Sequence, residues 1–223
     1  MNLSTGNSGN KLYPAVVKLG PEAQQEGSYC QFLGDQVCPK IFAIIPNGYV
    51  MEGLESAPRT HNLLRKIEKL LGEEVWVRPA LPSSMDTNWW DKLKKYGITV
   101  PEFVFTNQTC LVHGDPTASN VLIRNKEIIL CDPRPPRDYI PQYRETDMGR
   151  IVQSIFGWEE VAYRAERISW DKPDFWHNEE QRRRAFFWCG AAAARIQYLE
   201  ENRPNSRETI INWCKYVRGQ CHV

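Results

Sequence analysis

The segment HGDPTASNVLIRNKEIILCDP, residues 113–133, sets two short apolar runs among two aspartates and an asparagine. Val121-Leu122-Ile123 and Ile128-Ile129-Leu130 are β-prone, and Arg124 to Glu127 is a polar turn between them. The spacing predicts an antiparallel hairpin. In that hairpin Asn120 and Asp132 face each other at the open end, roughly 5 Å apart. An amide oxygen and a carboxylate at that distance make a hard-oxygen site suited to Mg²⁺ bound to phosphates. Asp115 stands just before, in a loop with Gly114 and Pro116. It is near in sequence yet free to point away from the cation, as a general base must.

The rest of the composition narrows the classes. The 223 residues suit one large domain or two small lobes, with length enough for a real core. Twenty-eight basic residues against 27 acidic ones give no global reason to expect a nucleic acid or a membrane surface. No apolar run approaches the ~20 residues that span a bilayer. The first residues, MNLSTGNSGNKLYP, lack a signal-peptide core. Seven scattered cysteines form no CxxC pair and no zinc spacing, so a reduced, cytoplasmic setting is expected.

Outward from the segment, the pattern predicts a β-rich part followed by a helical one. YPAVVKL reads as a strand after a Gly/Ser/Asn loop, and residues 21–33 read as a helix. IFAII (41–45) and GYVME (48–52) are two strands joined at Pro46-Asn47. Leu63, Leu64, Ile67, Leu70 and Leu71 fall at helical spacing, with Gly72 as a stop. Met148, Ile151, Val152, Ile155 and Phe156 form a second helical stripe. Residues 179–201 hold an alanine-rich helix, and Asn205 with Glu208 suggests a capped final one. The expected boundary falls near 53–58.

His113-Gly114-Asp115, then Asn120, then an apolar hairpin ending in Asp132 resembles the catalytic core of the aminoglycoside phosphotransferase and choline kinase family, relatives of protein kinases. The resemblance implies an α+β, bilobal protein-kinase-like fold. Residues 1–53 would form a small, reduced β-rich nucleotide-binding N-lobe, and 54–223 a mostly helical C-lobe carrying the catalytic loop and metal-binding hairpin. ATP and Mg²⁺ would be the cofactors. Asp115 would orient and deprotonate the acceptor hydroxyl, Asn120 and Asp132 would bind Mg²⁺, and His113 would brace the loop. Upstream, the resemblance assigns the phosphate loop to STGNSGN (4–10), with Ser8, and the strand lysine to Lys18. Glu26 is its helical partner, with Glu22 second. Met51 to Gly53 would offer backbone hydrogen bonds to an adenine edge.

The chain also departs from that pattern. The phosphate loop begins almost at Met1, and Pro-Arg-Pro-Pro-Arg follows Asp132. A second copy of the chain completing the small lobe, as a homodimer, would suit such a start. Asp147, in RETDMGRIV, reads as a helix cap, to which the resemblance adds a bracing contact on the catalytic loop. His61, His177 and His222 have no partners suggesting a ligand set, and Trp89-Trp90 reads as packing. The expected partner is a small-molecule acceptor. Arg134, Arg137 and Arg144 favour an anionic one, such as a sugar phosphate or other acidic metabolite. Their alternative is pairing with Asp138, Glu145 or Asp147. A kinase acting on protein side chains and a noncatalytic nucleotide-binding regulatory module of the same fold are the competing readings.

Overall fold

The computed structural model describes residues 14–81, 91, 93–104, 108–135 and 142–223. The STGNSGN loop with Ser8, Trp89-Trp90, Arg137 and Asp138 lie outside the described residues. The chain divides into two compact units, one made of 1–57 with 121–133, the other of 58–120 with 134–223.

In the first unit, β1 (Ala15–Leu19), β2 (Ile41–Ile45) and β3 (Gly48–Glu52) form a sheet in the order β1-β3-β2. Both pairings are antiparallel. Pro46-Asn47 makes the β2–β3 turn as the pattern predicted. Proline fixes the first central position, and Asn47 accepts the left-handed φ of 59° that the second requires. Helix α1 (Ala23–Leu33) buries Ala23, Tyr29, Cys30 and Leu33.

A second sheet holds β4 (Glu55–Ser56), β5 (Val121–Arg124) and β6 (Glu127–Leu130). The β5–β6 hairpin adopts one of the two expected registers, with Val121 opposite Leu130 and Arg124 opposite Glu127. Asn125 and Lys126 both have positive φ, 50° and 74°. That is the backbone of a tight type I′ turn, whose twist matches the flanking strands.

The expected lobe boundary at residue 53 compares with a unit boundary at Ala57/Pro58, and 121–133 groups with the first unit rather than the second. Hydrogen bonds give the reason. β4 pairs with β5, the Leu130 N–H donates to the Val37 carbonyl at 2.7 Å, and Arg124 binds Glu52 and the Asp35 and Cys38 carbonyls.

The second unit is helical: α2 (Leu63–Glu74), α3 (Arg144–Ile155), α4 (Trp158–Tyr163), α5 (Glu179–Glu201) and α6 (Glu208–Gln220). Leu63, Leu64, Ile67 and Leu71 are each at most 1% exposed, and burying each contributes roughly 1.5–3 kcal/mol. Helix α5 matches its predicted span. Asn178 caps it, accepting the Gln181 N–H at 3.1 Å. Its buried face of Ala185, Trp188, Cys189, Ala191 and Ala194 packs against α3 and α6. Gly149 permits the α3 contact, since a Cβ there would lie 2.8 Å from the Cys189 nitrogen.

Three local expectations are corrected. Gly72 does not stop α2, which runs on to Glu74. The final helix starts after Arg207 with no side-chain cap. Asp147 is not the cap of α3, because that helix begins at Arg144 after an extended Tyr143.

Candidate active site

The predicted site residues fall into two groups, one in each unit.

In the first unit, strand β1 sets Lys18 directly opposite Tyr49 on β3. Tyr49 is fully buried, and its hydroxyl donates to Glu26 Oε1 at 2.7 Å. The Lys18 ammonium donates to the same oxygen at 2.5 Å. It also lies 2.8 Å from Asp132 Oδ1. One cation thus ties a strand, a helix and the end of a hairpin. Burial alone would lower the Lys18 pKa, but its bonds to Asp132 and Glu26 carry it above the ordinary 10.5. The lysine is therefore charged throughout the physiological range. Burial, and then the bond to Glu26, push the Tyr49 pKa upward, so its hydroxyl stays a donor. Asp132 itself has a left-handed φ of 57°, a conformation that aspartate tolerates better than most residues.

Met51 and Gly53 are placed differently from expectation. Met51 lies inside the central strand, with ladder partners Val16 on one side and Ile41 on the other. The Gly53 N–H already donates to the Pro14 carbonyl at 2.9 Å, so it is not open to an adenine edge. A Cβ at Gly53 would meet Pro14 atoms at 3.1–3.2 Å. Glycine here serves the close approach of two chain segments. Glu22, the second candidate partner for Lys18, sits at the start of α1.

In the second unit, Asp115 occupies a loop held from below by Asp147. The Asp147 carboxylate is fully buried and accepts three donors: the His113 N–H at 2.9 Å, the Gly114 N–H at 2.7 Å and Trp76 Nε1 at 3.0 Å. Burial raises its pKa to about 6 despite those bonds. Gly114 has a φ of 86°, which suits glycine. His113 is buried, as a bracing residue would be. Asn120 Nδ2 donates to the Asp115 carbonyl at 2.9 Å. Asp115 and Asn120 are thus drawn together, while the Asn120 side-chain oxygen is left as an acceptor.

Further residues hold this loop without having been foreseen. Ser154 Oγ accepts the Ala118 N–H at 3.0 Å, and Glu159 accepts the Ser119 N–H at 3.2 Å and the Ser154 hydroxyl at 2.8 Å. Burial raises the Glu159 pKa. Two arginines flank the Asp115 carboxylate. Arg150 Nε is 3.8 Å from Oδ1, and Arg134 Nε is 3.9 Å from Oδ2. Arg134 was singled out from sequence, and Arg150 was not. The signal was available, because Arg150 follows Asp147 by three positions and so shares its helix face. Arg144 instead takes the pairing alternative, with Glu145 at 3.4 Å.

By residue type, each of the two predicted ligands suits magnesium. Among the described residues no group of three or more His, Cys, Asp or Glu could form an all-protein metal cage. The predicted ligands lie one in each unit, the Asp132 carboxylate in the first and the Asn120 amide oxygen in the second. Mg²⁺ is commonly held by such a sparse set, with phosphate oxygens and water completing its shell. Lys18 is the cation that would take phosphate oxygens.

No protein-family profile matches the sequence, and no curated protein does. Solved structures match. A choline/ethanolamine kinase family protein from Mesorhizobium loti superposes with a TM-score of 0.55 at 9% identity, over 93% of this chain and 81% of the other. The chain has the protein-kinase-like fold. A second match, described as a fructosamine-3-kinase from Thermobifida fusca, has a TM-score of 0.51 at 14% identity, over 92% of this chain and 85% of the other. At these identities the likeness is one of fold. The small sheet followed by a helical C-terminal part agrees with the α+β class read from the sequence. Among the described residues, no helix is long and apolar enough to cross a membrane.

Proposed function

We propose that the protein is an ATP- and Mg²⁺-dependent phosphotransferase that moves the γ-phosphoryl group to a hydroxyl of a small molecule. The observation that carries this reading is the Lys18 ammonium, bonded at once to Glu26 and Asp132. Residues far apart in sequence converge there, each of a type that phosphoryl transfer needs. The two fold relatives, a choline/ethanolamine kinase family protein and a fructosamine-3-kinase, are small-molecule kinases by description.

Phosphoryl transfer demands positioning and charge neutralisation more than covalent help. Lys18, kept charged and aimed by Glu26, holds phosphate oxygens of the nucleotide. Asp132 and Asn120 are the residues that would hold Mg²⁺, which would neutralise charge on the phosphates. Asp115 accepts the proton of the acceptor hydroxyl as its oxygen bonds to the γ-phosphorus and the bond to ADP breaks. Asp147 holds the His113 and Gly114 N–H groups, which fixes the backbone leading into Asp115. An anionic sugar or acidic metabolite is the acceptor class in this reading.

Incubating the protein with MgATP and an acceptor panel tests it. ADP release that needs both metal and acceptor, and that Asp115→Ala abolishes in a folded protein, is the expected result. Metal-dependent ATP binding in calorimetry without turnover on any acceptor would instead make the protein a noncatalytic nucleotide-binding module.

A further inference from the structure

Strand β1 borders the first sheet with an open edge. Among the described residues its one neighbour in the sheet is β3. The Pro14 carbonyl accepts the Gly53 N–H, and the Gly20 N–H donates to the Asn47 carbonyl, both across to the β3 side. Backbone direction alternates along an antiparallel strand. Val16 and Lys18 therefore bond toward β3 as Pro14 and Gly20 do, and Ala15, Val17 and Leu19 turn their N–H and C=O groups outward. The side chains of these three do not protect the edge. Val17 is 56% and Leu19 68% exposed, Ala15 is exposed as well, and none is charged. The one charge on β1, Lys18, is turned to Glu26 and Asp132. Natural proteins blunt open edges with charges, prolines or bulges. The other edge of this sheet, β2, has such a device, a register shift between Ile41 and Ala43. The β1 register runs unbroken from Ala15 to Leu19.

We infer that a second copy of this chain pairs with β1 along this edge, antiparallel and about a two-fold axis at Val17. The register is self-complementary. It sets Val17 opposite Val17 of the second copy, and Ala15 opposite its Leu19. Outward residues thus meet only outward residues, and each outward N–H finds a carbonyl. The side chains that face each other there are apolar. The two lysines are kept apart, since Lys18 falls opposite Val16. Pro14, which has no N–H to offer, falls opposite Gly20, where a Cβ would meet nothing within 4 Å. A formal net charge of +1 puts little repulsion between copies. These are matches of the strand with itself, which makes a second copy, rather than an unrelated strand, the occupant. One strand pair buries less than the roughly 1,200 Å² at which standard interfaces begin, so the dissociation constant is on the order of micromolar.

Sedimentation velocity of the full-length protein from about 1 to about 100 µM, a range that brackets such an affinity, tests the inference. Wild type is expected to pass from monomer to dimer across that range. Val17→Pro removes an N–H that β1 does not use in its own sheet. Val17→Lys sets two ammonium groups face to face across the axis. Each is expected to weaken the dimer about tenfold or more, because the two-fold axis applies every change twice. Circular dichroism and urea unfolding confirm that the variants fold, and the lysine variant carries the test should the proline one misfold. A monomer at every concentration overturns the inference and leaves the edge to another occupant. A dimer that neither substitution weakens overturns it too, since its interface then lies elsewhere. The phosphotransferase reading does not depend on either result.

Discussion

The Lys18 ammonium lies 2.8 Å from Asp132 and shares the Glu26 carboxylate with the Tyr49 hydroxyl. Lys18→Met therefore has two effects. On the proposed function, affinity for MgATP falls on the order of tenfold or more, because the cation assigned to the phosphates is gone. Glu26, 5% exposed, loses the Lys18 donor and keeps the Tyr49 one, which costs roughly 1–3 kcal/mol of stability. Calorimetry and urea unfolding measure the two, and Glu26→Gln relieves the second without restoring the first.

Asp147 makes activity and stability respond oppositely to acid. Its folded pKa, about 6, lies above the ordinary 3.8. A raised value means that the proton binds the folded state more tightly. The stability it confers is fully present below about 3.8 and is lost as pH rises through about 6. The ionised carboxylate is nevertheless the form that best accepts three donors. Loop order and activity are thus expected to decline as pH falls below about 6. Unfolding free energies of wild type and Asp147→Asn across that window should diverge with pH and run parallel above it.

Gly27 lies where α1 meets the sheet, and a Cβ there would come within 2.7 Å of the Tyr49 ring. Gly27→Ala forces apart the helix that carries Glu26 and the strand that carries Tyr49. The expected loss is about 1–3 kcal/mol in chemical denaturation, with KM for ATP raised as Glu26 moves off Lys18. Unchanged stability would mean that α1 is less tightly seated than the structure shows.

Arg124 anchors the hairpin to its own unit through Glu52 and the Asp35 and Cys38 carbonyls. Arg124→Met keeps much of the bulk and removes those donors. It should cost roughly 1–3 kcal/mol, since half-buried Glu52 loses its charged partner and keeps the Lys40 N–H. Hydrogen exchange should accelerate at Ile128 to Leu130 before it does in α5.

What the sequence disclosed tracks how local each determinant is. The hairpin was legible because period, turn chemistry and length all lie within 121–130, and the observed register is one of the two expected. Strands β2 and β3 were legible for the same reason, since Pro46-Asn47 sets their turn. Lys18, Glu26 and Asp132 meet as a set. That depended on a family resemblance, since no local pattern joins positions so far apart. Tyr49 was missed because an apolar strand gives no sign that a tyrosine hydroxyl points at a buried acid. Asp147 was read as a cap because acids near helix starts usually are. Its actual partners, the His113 and Gly114 N–H groups, come from a distant loop. Gly53 was misjudged because nothing in GYVMEGLE reveals that Pro14 already takes its N–H.

The most direct measurement compares wild type with Asp115→Asn, which keeps shape and removes the basic carboxylate. Both are given MgATP and the metabolite extract, with phosphorylated products and ADP quantified by mass spectrometry. The account predicts metal-dependent transfer by wild type and a loss of about 10²–10⁴-fold in the variant, with MgATP binding retained. Transfer of equal rate from the variant, or ATP binding without any phosphorylated product from wild type, would contradict it.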